Sequence, residues 1–378
     1  MNKYQDQIQQ SLISNIKNIT LSEILENNKF VLYGAGSGFM TFAGFIKKQH
    51  SFMENVLMIL DIKFKPGDTF NSLLAFSPFN TEAKQHSLEN AIGVITSGKT
   101  TNHAKMISHL KDLGIKNIIL AGNYIDYFGS CVTPELLKEG KNFYNKQKKS
   151  IFSVINLLED DISRNTYVNF VKSYIDGQAV TDFEHYPEAE EYFPSDIPIL
   201  SKYKRTIDCG AYIGDTALKI YEQFGKIDKL VCFEPDNKNF NTLVKTISKN
   251  RHIADEIILY PCGIYNKSCL INFEDGMEVG SKITETGKNI AQCISIDEAL
   301  PDFKPTTIKM DIEGAELSAL KGAQKTIQKY KPDLIVCVYH LPNHIWDIPL
   351  YIDSLNLKYK FYIRNYSGNP LDTVLYAV

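Results

Sequence analysis

The sequence predicts an α/β protein with two units, each built around a mostly parallel, doubly wound sheet. Strand-like apolar segments alternate with helical segments in both halves of the chain, as in successive βαβ units. A strand-like segment runs into a glycine turn at 30–39 and again at 206–216. Because 378 residues exceed one ordinary hydrophobic core, two domains are expected.

Residues 1–130 are predicted to form a smaller Rossmann-like α/β domain. A helical pattern comes first, and strand-like segments follow at 30–33, 55–61, 91–97 and 115–122. Residues 131–200 are predicted to form a helical connector and a lid. This segment ends in turns, because a regular helix or a central strand is excluded by Pro187, Pro194 and Pro198.

Residues 201–378 predict a second, larger domain. Strand-like segments recur at 206–210, 229–235, 256–263, 306–311 and 333–340, and a polar, hairpin-like insertion occupies 264–296. Two further strand-like segments, 359–366 and 372–378, close the sequence. They predict an antiparallel hairpin at the end of an otherwise mostly parallel sheet.

Composition argues against several classes of function. Lys and Arg number 41 against 44 Asp and Glu, so no broad basic field is available for nucleic acid. No apolar stretch approaches the about 18 residues that a membrane span needs. The seven cysteines are scattered singly, without a C-x-x-C pair or a Cys/His cluster. We therefore expect a cytoplasmic protein without a zinc site or a disulfide framework.

The turn at 206–216 carries an acid ahead of its glycines. Asp208 precedes Gly210 by two residues, and Gly214 follows four residues later. A pyrophosphate binds free N–H groups at such a turn and is repelled by a fixed acid. The turn therefore favours a ligand that carries positive charge. Glu234 ends the next strand-like segment, where a carboxylate can accept both hydroxyls of a ribose.

The turn at 30–39 is a rival cofactor site. Gly34, Gly36 and Gly38 are present, but Phe39 stands where the G-x-G-x-x-G motif requires its third glycine. Asp61 ends the next strand-like segment, at a distance along the sequence that suits a contact with a ribose. Two interpretations remain open: a nucleotide site, or a structural domain that positions or recognises the substrate of the second unit.

The segment KMDIEGAE, residues 309–316, is the richest group of charged residues. Lys309 and Asp311 share one face of a strand, Glu313 lies in the turn, and Glu316 begins a helix. Asp311 and Glu313 are candidates to bind the acceptor, to act as general base or to share a divalent ion. Lys309 either contacts the substrate or forms a structural ion pair. Glu316 either belongs to the functional site or only places a carboxylate at a helix N-terminus, where negative charge is favourable.

Two further features are expected beside this segment. His340 ends the fifth strand, and an imidazole that titrates near neutral pH is a natural general base. The base is therefore either His340 or Asp311. The aromatic stretch 185–193 either covers a ligand, or Tyr192 and Phe193 only pack the lid.

Several segments together resemble the FkbM family of S-adenosylmethionine-dependent methyltransferases. They lie, in the order and spacing of the family, at 206–216, 231–243, 294–300, 306–323 and 331–352. The resemblance covers roughly 160–378 and implies a class I methyltransferase fold that methylates hydroxyls, often on sugars or secondary metabolites. The first 130 residues resemble the Rossmann-like half that is fused to some bacterial members.

The resemblance implies S-adenosylmethionine as the cofactor and a donor site along the strand ends. The candidate cofactor-binding residues are Asp208, Gly210, Ala211, Tyr212, Gly214, Asp215, Glu234, Pro235, Cys262, Gly263 and Asp311. Cys262 and Gly263 are expected to contribute backbone beside the adenine. The candidate catalytic residues are Lys309, Asp311, Glu313 and His340.

Three hypotheses for the function follow. The first is an O-methyltransferase that modifies a hydroxyl of a small molecule or a glycan. A homodimer is one assembly that this hypothesis allows. In the second, an NAD(P)-dependent sugar oxidoreductase or epimerase activity resides in the N-terminal domain, beside a methyltransferase-like partner domain. The third is a scaffold that binds the donor without turnover. Calorimetry with S-adenosylmethionine and with NAD(P) separates the first two, and only turnover excludes the third.

Overall fold

The computed structural model describes residues 2–13, 28–36, 39, 52–80, 83, 88–97, 103–120, 141–176, 184–199, 201, 203–274, 282–283, 289–368 and 370–378. The chain divides into two compact units. The first comprises Met1–Phe152, Arg164–His185 and Ser367–Asp372, and the second comprises Ser153–Ser163, Tyr186–Tyr366 and Thr373–Val378.

The first unit is an α/β unit, as predicted. Its elements up to residue 120 are α1 (Lys3–Ile13), β1 (Phe30–Tyr33), β2 (Val56–Leu60), β3 (Thr69–Phe70), β4 (Leu73–Phe76), β5 (Ile92–Ile95), α2 (His103–Asp112) and β6 (Asn117–Leu120). Within this described part, the sheet order is β3-β4-β2-β1-β5-β6. All pairings are parallel except β3 with β4. The short β3–β4 hairpin was not predicted from the sequence.

Apolar runs explain why these strands lie inside the unit. All four residues of β1 are buried, as are all four of β5. Phe30 and Leu32 belong to one apolar cluster, and Val31 and Tyr33 belong to another. A strand that is apolar on both faces is typical of a parallel sheet with both faces covered.

Two long helices follow in the chain, α3 (Lys141–Leu157) and α4 (Asp161–Asp176). The helical part of the predicted connector is therefore present within 141–176. Residues 184–199 form turns with a short 3₁₀ segment at Glu188–Glu190. Both compact units take residues from 131–200.

The second unit contains the larger sheet. Its elements are β7 (Arg205–Cys209), α5 (Asp215–Phe224), β8 (Ile227–Phe233), α6 (Asn237–Lys249), β9 (Ala254–Tyr260), β10 (Gly263–Ile264), β11 (Cys269–Glu274), β12 (Lys282–Ile283), β13 (Asn289–Ile294), α7 (Ile296–Ala299), β14 (Thr307–Met310), α8 (Glu316–Gly322), α9 (Gln324–Tyr330), β15 (Asp333–Cys337), α10 (His344–Ser354), β16 (Phe361–Asn365) and β17 (Thr373–Ala377). The predicted class of fold, including the terminal hairpin of β16 and β17, is confirmed.

The order of the strands decides where a ligand site can form. Over the described residues, the larger sheet runs β16-β17-β15-β14-β7-β8-β9. The chain adds β8 and β9 on one side of β7 and later returns to place β14 on its other side. The direction of winding therefore reverses between β7 and β14, and ligands of doubly wound folds bind at the carboxyl ends of strands at such a point.

The predicted hairpin insertion forms a separate small sheet. Its order is β10-β13-β11-β12 in the portion that the structure describes, and β11 pairs antiparallel with β13. No described helix is both long and apolar enough to cross a membrane.

Candidate active site

The glycine turn after β7 touches the end of β14. Gly210 has φ +77°, in the left-handed region that favours glycine. A Cβ atom on Gly210 would lie only 1.8 Å from the carbonyl oxygen of Asp311. Gly214, with φ +90°, then forms the N-cap of α5. The two glycines therefore allow the turn to reach α5 while its backbone packs directly on the residue after β14.

Glu234 holds the other side of this turn. One carboxylate oxygen accepts the backbone N–H of Tyr212 at 2.9 Å, and the other accepts that of Asp236 at 2.9 Å. Burial raises the pKa of Glu234 to about 7, against the opposing effect of these two hydrogen bonds. An ionised carboxylate offers about four lone-pair sites. Glu234 can therefore still accept two hydroxyl groups, which fits a ribose.

Asp208 and Lys309 form an ion pair beneath the turn. The two residues are neighbours in the pairing of β7 with β14, and Lys309 Nζ lies 3.1 Å from Asp208 Oδ1. Lys309 also donates to the carbonyl oxygen of Gly210 at 2.8 Å. Burial opposes the charge of Lys309, but Asp208 and Asp311 outweigh burial and raise its pKa. Both side chains are buried, so the pair supports the turn from below.

The remaining candidate cofactor residues lie along the same strand ends. Ala211 is buried in the turn, Asp215 is exposed at the start of α5, and Pro235 is half-buried after β8. Burial raises the pKa of Cys262 to about 11, so its thiol is neutral at pH 7. A Cβ atom on Gly263 would lie 2.9 Å from Cys293 Sγ. The backbone role predicted for Cys262 and Gly263 stays a prediction.

Asp311, Glu313 and His340 come together at the ends of β14 and β15. His340 Nε2 lies 3.4 Å from Asp311 Oδ1 and 3.4 Å from Glu313 Oε2. The imidazole is buried, whereas the carboxylate side chains are 25% and 20% exposed. No described residue forms a hydrogen bond with His340 Nε2. The site therefore presents two carboxylates that a ligand can reach and a histidine behind them.

Glu316 and His344 complete this cluster from within. Glu316 Oε1 accepts from His340 Nδ1 at 2.8 Å and from the backbone N–H of Ile312 at 3.0 Å. Glu316 Oε2 lies 3.2 Å from His344 Nδ1. Burial alone raises the pKa of a carboxyl, but the two histidines outweigh it and hold the pKa of Glu316 well below its usual range. This buried carboxylate thus joins two histidines to the turn after β14.

The same contacts determine the charge of His340. Burial favours the neutral imidazole, but Glu316, Glu313 and Asp311 outweigh burial and raise the pKa of His340 to about 10. The imidazole is therefore protonated at neutral pH, with Nδ1 donating to Glu316. A protonated imidazole cannot accept a proton, so this geometry favours a carboxylate as the base over His340.

Two residues of the cluster were not among the predicted site residues. His344 had no role in the sequence interpretation, and Glu316 was equally compatible with a favourable helix N-terminus. The spacing of His340 and His344, four residues apart across the start of α10, was the available signal. No group of three or more His, Cys, Asp or Glu side chains suited to a metal ion occurs among the described residues.

The glycine turn of the first unit has a similar internal support. Asp61 Oδ2 accepts the backbone N–H of Ala35 at 2.8 Å, and Asp61 Oδ1 accepts that of Lys63 at 3.1 Å. Gly34 has φ +112° and packs against Thr96. Gly38 lies outside the described residues. The two interpretations of this turn therefore both stay open.

The second unit matches a known family. Residues 208–362 match the model of the methyltransferase FkbM domain. This part of the second unit is therefore similar to the FkbM methyltransferases. The resemblance predicted from the sequence is confirmed, over a shorter range than the predicted 160–378. The match includes the glycine turn, Glu234 and the carboxylate cluster, and it supports methyltransferase activity for the FkbM domain.

One solved structure shows the same fold over the whole chain. The methyltransferase FkbM from Methylobacillus flagellatus KT is 21% identical with a TM-score of 0.77, over 100% of this chain and 99% of that one. Aeropyrum pernix fibrillarin, solved with natively bound S-adenosyl-L-methionine, is 10% identical with a TM-score of 0.32, over 49% of this chain and 70% of that one. No curated protein matches the chain.

Proposed function

We propose that this protein is an S-adenosylmethionine-dependent O-methyltransferase that acts on a hydroxyl of a sugar, a glycan precursor or a related metabolite. The observation that carries the proposal is the direct contact between the glycine turn and Asp311. It brings the predicted donor side and a partly exposed carboxylate to the same strand ends. A methyltransferase needs this proximity, because methyl transfer is an in-line displacement between donor and acceptor.

The donor side fits S-adenosylmethionine in its hydrogen-bonding groups. This cofactor supplies an electrophilic methyl group on a sulfonium. Glu234 retains lone pairs for the ribose hydroxyls, and its hydrogen bond to the backbone N–H of Tyr212 keeps it against the turn. Beside the turn lie the buried ion pair of Asp208 with Lys309 and the partly exposed carboxylate of Asp311, so the accessible charged group is an acid. Such a setting suits a cationic ligand better than a pyrophosphate.

The acceptor side suits a neutral alcohol. An alcohol becomes a useful nucleophile when a positioned base removes its proton during attack. With His340 held as an imidazolium, we assign the base to Asp311, whose carboxylate is partly exposed and whose backbone the glycine turn contacts. Glu313 then hydrogen-bonds the acceptor, and His340 keeps the two carboxylates together. Paired carboxylates also match the adjacent hydroxyls of a sugar, which supports a carbohydrate acceptor.

The decisive experiment combines calorimetry with turnover. S-adenosylmethionine should bind the purified chain, and a panel of sugars and glycan precursors should yield a product heavier by one methylene, detected by mass spectrometry. Asp311→Asn should keep donor affinity and lose about 10²–10⁴-fold in turnover, the usual contribution of a general base. Asp353→Asn, at an exposed position of α10, serves as the matched control and should behave as the parent chain.

Three outcomes would contradict parts of this proposal. Binding of NAD(P) without binding of S-adenosylmethionine would transfer the chemistry to the first unit. Binding of the donor without turnover on any acceptor would favour the scaffold. Near-full turnover by Asp311→Asn would remove Asp311 as the base. The same assay with EDTA tests the prediction that Asp311 and Glu313 share a divalent ion, and unchanged activity would remove that prediction.

A further inference from the structure

We propose that Tyr192 is a positioning residue of the active site and orients the carboxylate of Asp311. This inference rests on the proposed function. Tyr192 lies before residues 208–362, the range that matches the FkbM domain, so the family match does not assign it. It belongs to the same compact unit as Asp311, and the sequence left its role open between covering a ligand and packing.

Tyr192 contacts both sides of the site. Its hydroxyl donates to Asp311 Oδ2 at 2.8 Å. The ammonium of Lys309, which supports the glycine turn, lies 5.0 Å from the centre of the Tyr192 ring. This distance suits a cation–π interaction. One side chain therefore links the carboxylate to the cation that holds the turn.

The backbone of Tyr192 is held in an unusual conformation. Its φ is +69°, which costs a residue with a side chain roughly 1–2 kcal/mol. The surroundings maintain this conformation, because its N–H donates to Tyr376 Oη at 3.2 Å and its carbonyl accepts from the hydroxyl of Tyr203. Strained residues of this kind persist where neighbours fix them, and they concentrate at functional sites.

The segment around Tyr192 is also anchored further along. The guanidinium of Arg364 is buried and donates to Asp196 Oδ2 at 2.8 Å through one nitrogen and at 3.0 Å through another. Tyr186 donates to the same carboxylate oxygen at 2.8 Å. Residues 186–196 are thus held at two points, the backbone of Tyr192 and the carboxylate of Asp196. These contacts limit how far Tyr192 can move when Asp311 acts.

The hydroxyl of Tyr192 acts as a donor and not as a base. Burial, and next the charge of Asp311, raise the pKa of Tyr192 well above its usual range. The phenol therefore stays protonated, and its hydrogen bond fixes one oxygen of Asp311. The other oxygen faces His340 Nε2 at 3.4 Å. With both oxygens oriented in this way, the free lone pairs of Asp311 point in defined directions toward an acceptor hydroxyl.

The test is Tyr192→Phe, which removes the hydroxyl and keeps the ring over Lys309. The expected result is a fall in kcat of about ten- to hundredfold, the range for one hydrogen bond to a charged group, with the Kd for S-adenosylmethionine unchanged within about twofold. Tyr359→Phe is the matched control: its buried hydroxyl donates to the carbonyl of Pro332 at 2.7 Å, and its loss should leave kcat unchanged.

A double-mutant cycle separates positioning from a merely structural role. If Tyr192 acts through Asp311, Tyr192→Phe should have little further effect on kcat in the Asp311→Asn background. Equal kcat values for Tyr192→Phe and the parent chain would overturn the inference, as would an equal fall in both backgrounds. A change only in melting temperature would also overturn it. Failure of the parent chain to bind the donor would instead reject the proposed function.

Discussion

Gly210→Ala tests the close contact on which the site is built. The added Cβ would lie 1.8 Å from the carbonyl oxygen of Asp311, whereas ordinary van der Waals contact begins near 3.4 Å. The turn and the end of β14 must therefore separate by about 1.6 Å. This substitution also forces a residue with a side chain to adopt φ +77°. The added methyl thus strains the backbone and displaces the residue assigned as the base.

Gly225→Ala is the matched control, because Gly225 has nearly the same positive φ without the overlap. Gly225 has φ +74°, and a Cβ there would meet no described atom within 4 Å. Both variants should lose about 1–3 kcal/mol from the strained backbone. Only Gly210→Ala should lose about 1–3 kcal/mol more from overpacking. For a unit of this size, that difference corresponds to about 2–12 °C in the thermal midpoint.

The assay has two readouts. Thermal unfolding followed by circular dichroism gives the midpoints of both variants, and turnover is measured below the lower midpoint. We expect Gly225→Ala to keep its activity and Gly210→Ala to lose at least about 100-fold, since a misplacement of 1 Å can cost that much. Equal midpoints and equal activities for the two variants would refute the contact between the turn and Asp311.

Two further predictions concern ionisation. Glu316→Gln should lower the free energy of unfolding at pH 7 by about 3–5 kcal/mol, because it leaves the buried His340 cation without its nearest anion. Glu222→Gln, at an exposed position of α5, is the control and should change this free energy little. The pKa of His340 is raised from 6.5 to about 10, so its stabilisation is complete below pH 6.5 and is lost as pH rises through 10. Glu316→Gln should reduce this decline, because Glu313 and Asp311 still raise the pKa. The ribose hydroxyls of 5′-methylthioadenosine prefer an ionised acceptor, and the pKa of the proposed acceptor, Glu234, is about 7. This nucleoside should therefore bind about tenfold more tightly at pH 8 than at pH 6. Calorimetry measures this difference, and a pH-independent affinity would contradict the role of Glu234.

Local rules predicted much of the fold. The apolar segments that were interpreted as strands are the strands β1, β2, β5, β6, β7, β8, β9, β14 and β15, since a short apolar run between turn residues is recognisable from adjacent residues alone. The terminal hairpin of β16 and β17 was also predicted, from two β-rich segments with a turn between them. The hairpin of β3 and β4 was not visible, because strands of two and four residues carry too little periodicity.

The chemistry of the site was less predictable than its position. A carboxylate at the start of a helix is favourable anywhere, so Glu316 gave no local sign of its two histidines. The sequence made His340 a candidate base, because an imidazole at its ordinary pKa titrates near neutral pH. Its real environment, with three carboxylates nearby, raises that pKa to about 10. Burial and neighbouring charges set a pKa, and neither is visible in a short motif.

The sequence by itself determined the strands, the glycine turns and the acids that follow the strands, because each depends on a few adjacent residues. Tertiary structure alone decided which groups meet. The pairing of β7 with β14 places Lys309 beside Asp208, and the hydroxyl of Tyr192 reaches Asp311 across 119 positions of the chain. Such contacts depend on the long-range register of strands and on burial. The fold arranges these acids as one ion pair, one buried carboxylate between two histidines, and two partly exposed carboxylates that a ligand can reach.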